Sequence, residues 1–175
     1  MILTDRELTL EIEHGNLKFD PDIDRPKQIG DASIDVRLGG MLRIPQQDMN
    51  IVIRPQERNR PDLYGRETPI PPGGYNILPK QLLLGHSLEK ITIPNYIVGR
   101  LEGKSSLARF GLLIHATSAH IDPGFSAVIV LELYNLGENT IVLEKGMPVA
   151  QIIFYKVSLP PSKAYAGQFA EQRGP

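Results

Sequence analysis

Ala127-Val128-Ile129-Val130-Leu131-Glu132-Leu133-Tyr134 is the stretch on which the fold turns. Its β-branched, aliphatic and aromatic residues, with no turn former among them, read as a strand. Glu132 stands between Leu131 and Leu133, and the pleat puts it on the opposite face from those leucines. A run so rich in Ile, Val and Leu predicts burial of its carboxylate, and a buried carboxylate needs a chemical reason. The other reading is a solvent-facing glutamate on a strand with one wet face.

Outward from this run the pattern repeats. Tyr75 to Leu78, Leu82 to Ser87, Tyr96 to Leu101, Thr140 to Leu143 and Val149 to Lys156 are short β-rich segments punctuated by Gly and Pro. Several short strands separated by turn signals predict a sandwich or barrel. Asp31 to Leu38 alternates weakly and ends in Gly39-Gly40, a strand and turn. Thr4 and Glu7 form a capping box ahead of Leu8 and Ile12, with Gly15 as the stop, which predicts one short N-terminal helix. A second short helix is expected over Ser105 to Phe110, closed by Gly111. Residues from about Asp48 to Gly74 are rich in Pro, Arg and Asn and read as a long surface excursion. The last dozen residues read as a flexible tail.

The 175 residues suit a single domain with a substantial core. A net charge of −1 with scattered Lys and Arg predicts no nucleic-acid footprint. With no cysteine, disulfides and thiolate metal sites are excluded. No apolar run approaches a membrane span and the N-terminus lacks a signal-peptide pattern, so the expected address is cytoplasmic, with no membrane partner. Zinc deaminases need His-x-Glu and Pro-Cys-x-x-Cys, and this chain has neither. His14, His86, His115 and His120 show no metal-ligand spacing, so hydrolytic chemistry here would use a carboxylate to activate water and no zinc.

Gly103-Lys104-Ser105-Ser106-Leu107-Ala108-Arg109 imitates the end of a P-loop, but Gly99 is one residue too close to complete one. The segment still suits a polyphosphate, with a close-approach glycine, a cation and two hydroxyls at a helix start. A plain helix cap with a surface lysine is the alternative. Arg109 falls one turn from Ser105, on the same face or simply solvated. Asp122 in Ile121-Asp122-Pro123-Gly124-Phe125 is a natural turn former.

Taken together, these segments resemble the dCTP deaminase family of the dUTPase-like superfamily. Met1-Ile2-Leu3-Thr4-Asp5-Arg6 is similar to its opening and Ala32-Ser33-Ile34-Asp35-Val36-Arg37-Leu38-Gly39 to its first strand motif. Gly103 through Arg109 and Ile121 through Asn135 follow at family spacing. The resemblance covers nearly the whole chain and implies a mainly β, dUTPase-like distorted jelly-roll or barrel with a few short helices. It also implies a homotrimer with active sites between subunits, and Mg²⁺ bound through the substrate triphosphate. Residues 1–175 would form one domain, with 165–175 a C-terminal lid.

By the same resemblance, Glu132 would be the general base that moves a proton from water to the cytosine ring, with Ser105 and Arg109 completing the catalytic group. Lys104 and Ser106 would touch phosphates, Asp122 the deoxyribose 3′-hydroxyl, and Gln151 in Val149-Ala150-Gln151-Ile152 would lie near the nucleotide. His120 stands where one branch carries arginine and another an aromatic residue. Ser126-Ala127 replaces a more usual small residue and glycine. The tail, Tyr165-Ala166-Gly167-Gln168-Phe169-Ala170-Glu171-Gln172, resembles the family's closing segment with Tyr165 and Gln172 as nucleotide contacts. Gln168 stands in place of a basic residue there, and an alternative register puts Gln168 where Gln172 is placed. The implied activity is metal-independent deamination of dCTP to dUTP and ammonia. The alternatives are a bifunctional enzyme that also cleaves the triphosphate to dUMP, a dUTPase-like hydrolase, and a non-catalytic nucleotide-binding regulator.

Overall fold

In chain order the elements are α1 (Asp5–Glu13), β1 (Lys18–Asp20), α2 (Arg25–Gln28), β2 (Ile34–Arg37), β3 (Met41–Arg43), β4 (Glu67–Pro69) and β5 (Tyr75–Ile77). They continue with β6 (Leu82–Thr92), β7 (Ile97–Gly103), α3 (Ser105–Ala108), β8 (Leu112–Leu113), β9 (His120–Ile121), β10 (Ser126–Asn135), β11 (Ile141–Leu143) and β12 (Pro148–Lys156). This computed structural model describes residues 1–45, 52–54, 64–163, 165–167 and 173–175. The fold is mainly β with short helices, as the sequence predicts. Among the described residues no helix is long and apolar enough to cross a membrane.

Two antiparallel sheets carry the core. One has the order β2-β12-β7-β9, and the other β4-β3-β6-β10-β8 with β1 added to β6. A small third sheet pairs β11 with β5. Alternation does the sorting: Ile34 and Val36 of β2, Ile152 and Phe154 of β12, and Leu131 and Leu133 of β10 are all fully buried. Helix α1 begins as read, with Glu7 accepting the Thr4 N–H at 3.2 Å, and its end is marked by Gly15 at φ +68. Glu11 anchors the helix by accepting the Tyr96 hydroxyl at 2.7 Å and the Asn16 amide at 3.0 Å. Burial raises the Glu11 pKa, but Tyr96, Asn16 and Lys156 together outweigh it and leave the carboxyl below its usual range. Burial, then the Glu11 hydrogen bond and charge, push Tyr96 up to about 12.

Several expectations are corrected. Strand β6 does not stop at Ser87 but continues to Thr92, because Glu89 is turned inward and satisfied there rather than solvated. The stretch expected as a surface excursion contains β4, paired with β3 through Leu42 and Thr68, while 46–51 and 55–63 lie outside the described residues. Helix α3 closes at Ala108, short of Phe110, with Gly111 at φ +92 donating to the Ala108 carbonyl at 2.9 Å.

The pairing of β6 with β10 is irregular at its centre. Val128 faces Lys90 and Val130 faces His86, so two extra β6 residues are accommodated between these rungs. Ser87 fills the gap, accepting the Ile129 N–H at 2.9 Å and donating to the Glu89 carbonyl at 2.7 Å. Because the insertion is even, burial of odd-numbered residues continues unbroken from Leu83 to Ile91.

Next to this bulge the His86 ring lies on Gly39, where any Cβ would collide with it. Nδ1 is 2.8 Å from the Ser87 carbonyl and Nε2 is buried with no partner among the described residues, which places the proton on Nδ1. Burial pulls the pKa below the ordinary 6.5 against the smaller opposing effects of the Ser87 carbonyl and Glu67. The unfolded chain therefore binds a proton that the folded chain does not, between the folded pKa and 6.5. This contribution to stability is complete above that window and is lost as pH falls through it. The urea midpoint should drop from pH 7 to pH 5, and less so in His86→Gln; equal slopes in the two proteins would refute the assignment.

Candidate active site

Strand β7 ends in Gly103 and hands the chain to α3, and the polar residues of the 103–109 motif meet two other strands there. The Lys104 ammonium forms an ion pair with the Asp35 carboxylate of β2, the two side chains being 25% and 20% exposed. Gln151 of β12 donates from Nε2 to the Gly103 carbonyl at 3.1 Å and accepts the Ser33 hydroxyl on Oε1 at 3.0 Å. The Lys104 carbonyl in turn accepts the Leu107 and Ala108 N–H groups at 3.0 and 2.9 Å. Ser105 and Ser106 stand exposed at the start of α3. Arg109 donates its backbone N–H to the Ser105 carbonyl at 3.2 Å, one turn along as expected. It borders an open recess of about 590 Å³ that also takes in Phe110, Gly137 and Asn139.

Glu132 lies on β10 opposite Leu84 of β6. Its side chain leaves the core on the face away from Leu131 and Leu133, as the alternation requires, and is half-buried. Oε2 accepts the Ala116 N–H at 3.0 Å, so the segment between β8 and β9 lies against the carboxylate. Leu84, Val130 and Tyr134 are half-buried on the same face as Glu132. The expectation of a core carboxylate in this run is thus corrected: the fully buried one is Glu89, and Glu132 sits on an outer face.

A third group forms at the turn after β9. His120 Nε2 is 3.2 Å from Asp122 Oδ1, with both side chains largely exposed. The Asp122 carbonyl accepts the Phe125 N–H at 3.1 Å, and Gly124 takes φ +84 to complete the turn. Tyr165 returns from the tail to this turn, its ring 6.0 Å from that of Phe125 and inclined at 49°. Burial, then the negative charge of Asp122, push the Tyr165 hydroxyl above its ordinary value. Gln168 and Gln172 lie outside the described residues.

Lys104 and Gln151 are therefore gathered around Gly103, and His120, Asp122 and Tyr165 around one turn. No hydrogen bond or ion pair among the described residues joins Glu132 to Ser105 or Arg109. Asp35 and Ser33 were not among the expected site residues. Their signal was the polar alternation Ser33, Asp35, Arg37 within an apolar strand. Among the described residues no three His, Asp or Glu side chains converge as a metal cage.

Residues 2–157 match the family model described as dCTP deaminase-like. A dUMP-forming dCTP deaminase of Clavibacter michiganensis subsp. michiganensis is 38% identical over 180 residues, spanning 100% of this chain and 88% of the relative. One from Kocuria rhizophila is 37% identical across 100% of this chain and 92% of its own, and one from Corynebacterium diphtheriae 38% across 100% and 95%. The crystal structure of 2′-deoxycytidine 5′-triphosphate deaminase from Agrobacterium tumefaciens has the same fold, with a TM-score of 0.69 at 22% identity. That likeness covers 87% of this chain and 48% of the other, so this chain spans about half of that protein's length.

Proposed function

Because the chain belongs to the dCTP deaminase-like family, we propose that it is an enzyme that deaminates dCTP and carries the product on to dUMP. The observation that carries the reading is end-to-end similarity to dUMP-forming relatives. It favours the bifunctional alternative over dUTP as the final product.

In the first reaction a water oxygen adds to C4 of the cytosine and the amino group leaves as ammonia. Glu132 takes one proton from the attacking water and gives it to the ring nitrogen beside C4, then takes the second from the new C4 hydroxyl and gives it to the amino group as the C–N bond breaks. The bond from the Ala116 N–H fixes one carboxylate oxygen, leaving the other for water. Ser105 orients the water or ring, and Arg109 steadies the glutamate charge. In the second reaction, water attacks the α-phosphorus and pyrophosphate departs. Lys104 and Ser106 hold phosphate oxygens, Asp122 the 3′-hydroxyl, and Gln151 and His120 border the nucleotide. Mg²⁺ would enter bound to the triphosphate, a mode that asks for no cage of protein carboxylates.

Among the described residues Glu132 makes no hydrogen bond or ion pair with Ser105 or Arg109, and a site completed by a neighbouring copy, as in a homotrimer, would supply the partner that one chain does not. The half-buried apolar face around Glu132 is the kind of surface a neighbouring copy would cover. The segment from Tyr165 would serve as a lid closing on nucleotide, a role supported by its packing on Phe125 beside Asp122.

Chromatography after incubation with dCTP or dUTP and Mg²⁺ tests the reading. Ammonia, pyrophosphate and dUMP are expected from dCTP. Accumulation of dUTP would overturn the second reaction, and unchanged dCTP would overturn the first.

A further inference from the structure

We propose that Asp35 is a positioning residue for the phosphate end of the site, acting through Lys104. This rests on the reading that the chain binds a nucleoside triphosphate. Lys104 is held at two points. From behind, its backbone is fixed by the Gly103 carbonyl, which Gln151 grips while itself bonded to Ser33. In front, its ammonium is held by the Asp35 carboxylate. Asp35 is itself braced: Gln28, almost wholly buried, donates from Nε2 to the Asp35 carbonyl at 2.9 Å and to Glu89 Oε1 at 3.1 Å. Strand β2 also pairs with β12, setting Asp35 directly across from Gln151.

A lysine is a flexible point charge, and fixing it at the moment of binding costs rotamer freedom. Here that freedom is already restricted in the free protein. An ammonium has three donors, and one carboxylate contact leaves the others for phosphate oxygens. The negative charge of Asp35 opposes a polyphosphate, but Asp35 and Lys104 are both partly open to solvent, where that repulsion is screened. Preorganisation is the larger effect, so removing Asp35 weakens binding.

The test is a double-mutant cycle on the full chain with Asp35→Ala and Lys104→Met. It reads binding of a non-hydrolysable triphosphate analogue by calorimetry, and KM and kcat for dCTP and dUTP. Asp35→Ala should weaken triphosphate binding about tenfold, with the loss falling mainly on KM. In the Lys104→Met background it should have almost no further effect. Asp35→Asn, which keeps an acceptor for the ammonium, should restore part of the loss. Additive effects of the two substitutions, a loss confined to kcat, or tighter binding by Asp35→Ala would each overturn the proposal. Melting curves of the variants separate a folding defect from a binding one, and the Asn variant carries the test if the Ala variant does not fold. A wild-type protein that binds no triphosphate would instead overturn the functional reading on which the proposal stands.

Discussion

Glu132→Gln is expected to stop ammonia release from dCTP while leaving nucleotide binding and fold largely intact. Glutamine can still accept the Ala116 N–H through its carbonyl oxygen, so the local geometry has a substitute. What it lacks is the capacity to take a proton from water. A positioned general base contributes ~10²–10⁴-fold in rate, and one that handles successive transfers sits at the upper end. Because the side chain is on an outer face rather than in the core, the stability change should remain within about 0.5 kcal/mol. The decisive comparison is dCTP binding by calorimetry beside ammonia release in a coupled assay. Turnover retained in the variant would place the base elsewhere.

The largest effect on stability is expected at Glu89. Its carboxylate is 0% exposed and accepts three bonds. These come from the Arg37 guanidinium at 2.6 Å, the Arg37 backbone N–H at 3.0 Å and the Gln28 amide at 3.1 Å. Glu89→Leu keeps the volume but leaves those donors without an acceptor, and Arg37 without its charge partner. Breaking a buried pair from one side costs roughly 3–5 kcal/mol, and the partial exposure of Arg37 puts this case near the lower value. Urea unfolding at pH 7 measures it directly. The double variant with Arg37→Leu should recover part of the loss, since no unpaired charge remains. A single-variant loss below about 1 kcal/mol would show that water reaches the pair.

These two carboxylates also mark how far the sequence could be read. The alternation around Glu132 predicts its face correctly, since a pleat of period 2 is a local property. It does not predict how deeply that face is covered, which depends on neighbours from other segments. Glu89 reads as a break because Ser87 and Lys90 flank it in polar company. Its partners come from α2 and β2, far away in sequence, so nothing local signals a buried pair. The Lys104–Asp35 contact spans 69 residues and was invisible for the same reason. Long strands such as β10 and β12 were legible because each carries its own apolar face. The strands β1, β3, β4, β8 and β9 have only two or three residues each. They exist through pairing with longer partners, and no intrinsic pattern of that length distinguishes them from loop.

The two extra residues in β6 have a consequence for how this protein can change length. Side chains alternate across a sheet, so the count of residues between two paired segments acts as a parity condition. At 87–89 an insertion or deletion of two residues would keep Leu83 and Ile91 facing the same interior. A change of one would turn one end of β6 inside out against the other and drive either His86 or Lys90 toward the core. Tolerated length variation at this point should therefore come in even steps, whereas the loops between sheets carry no such rule.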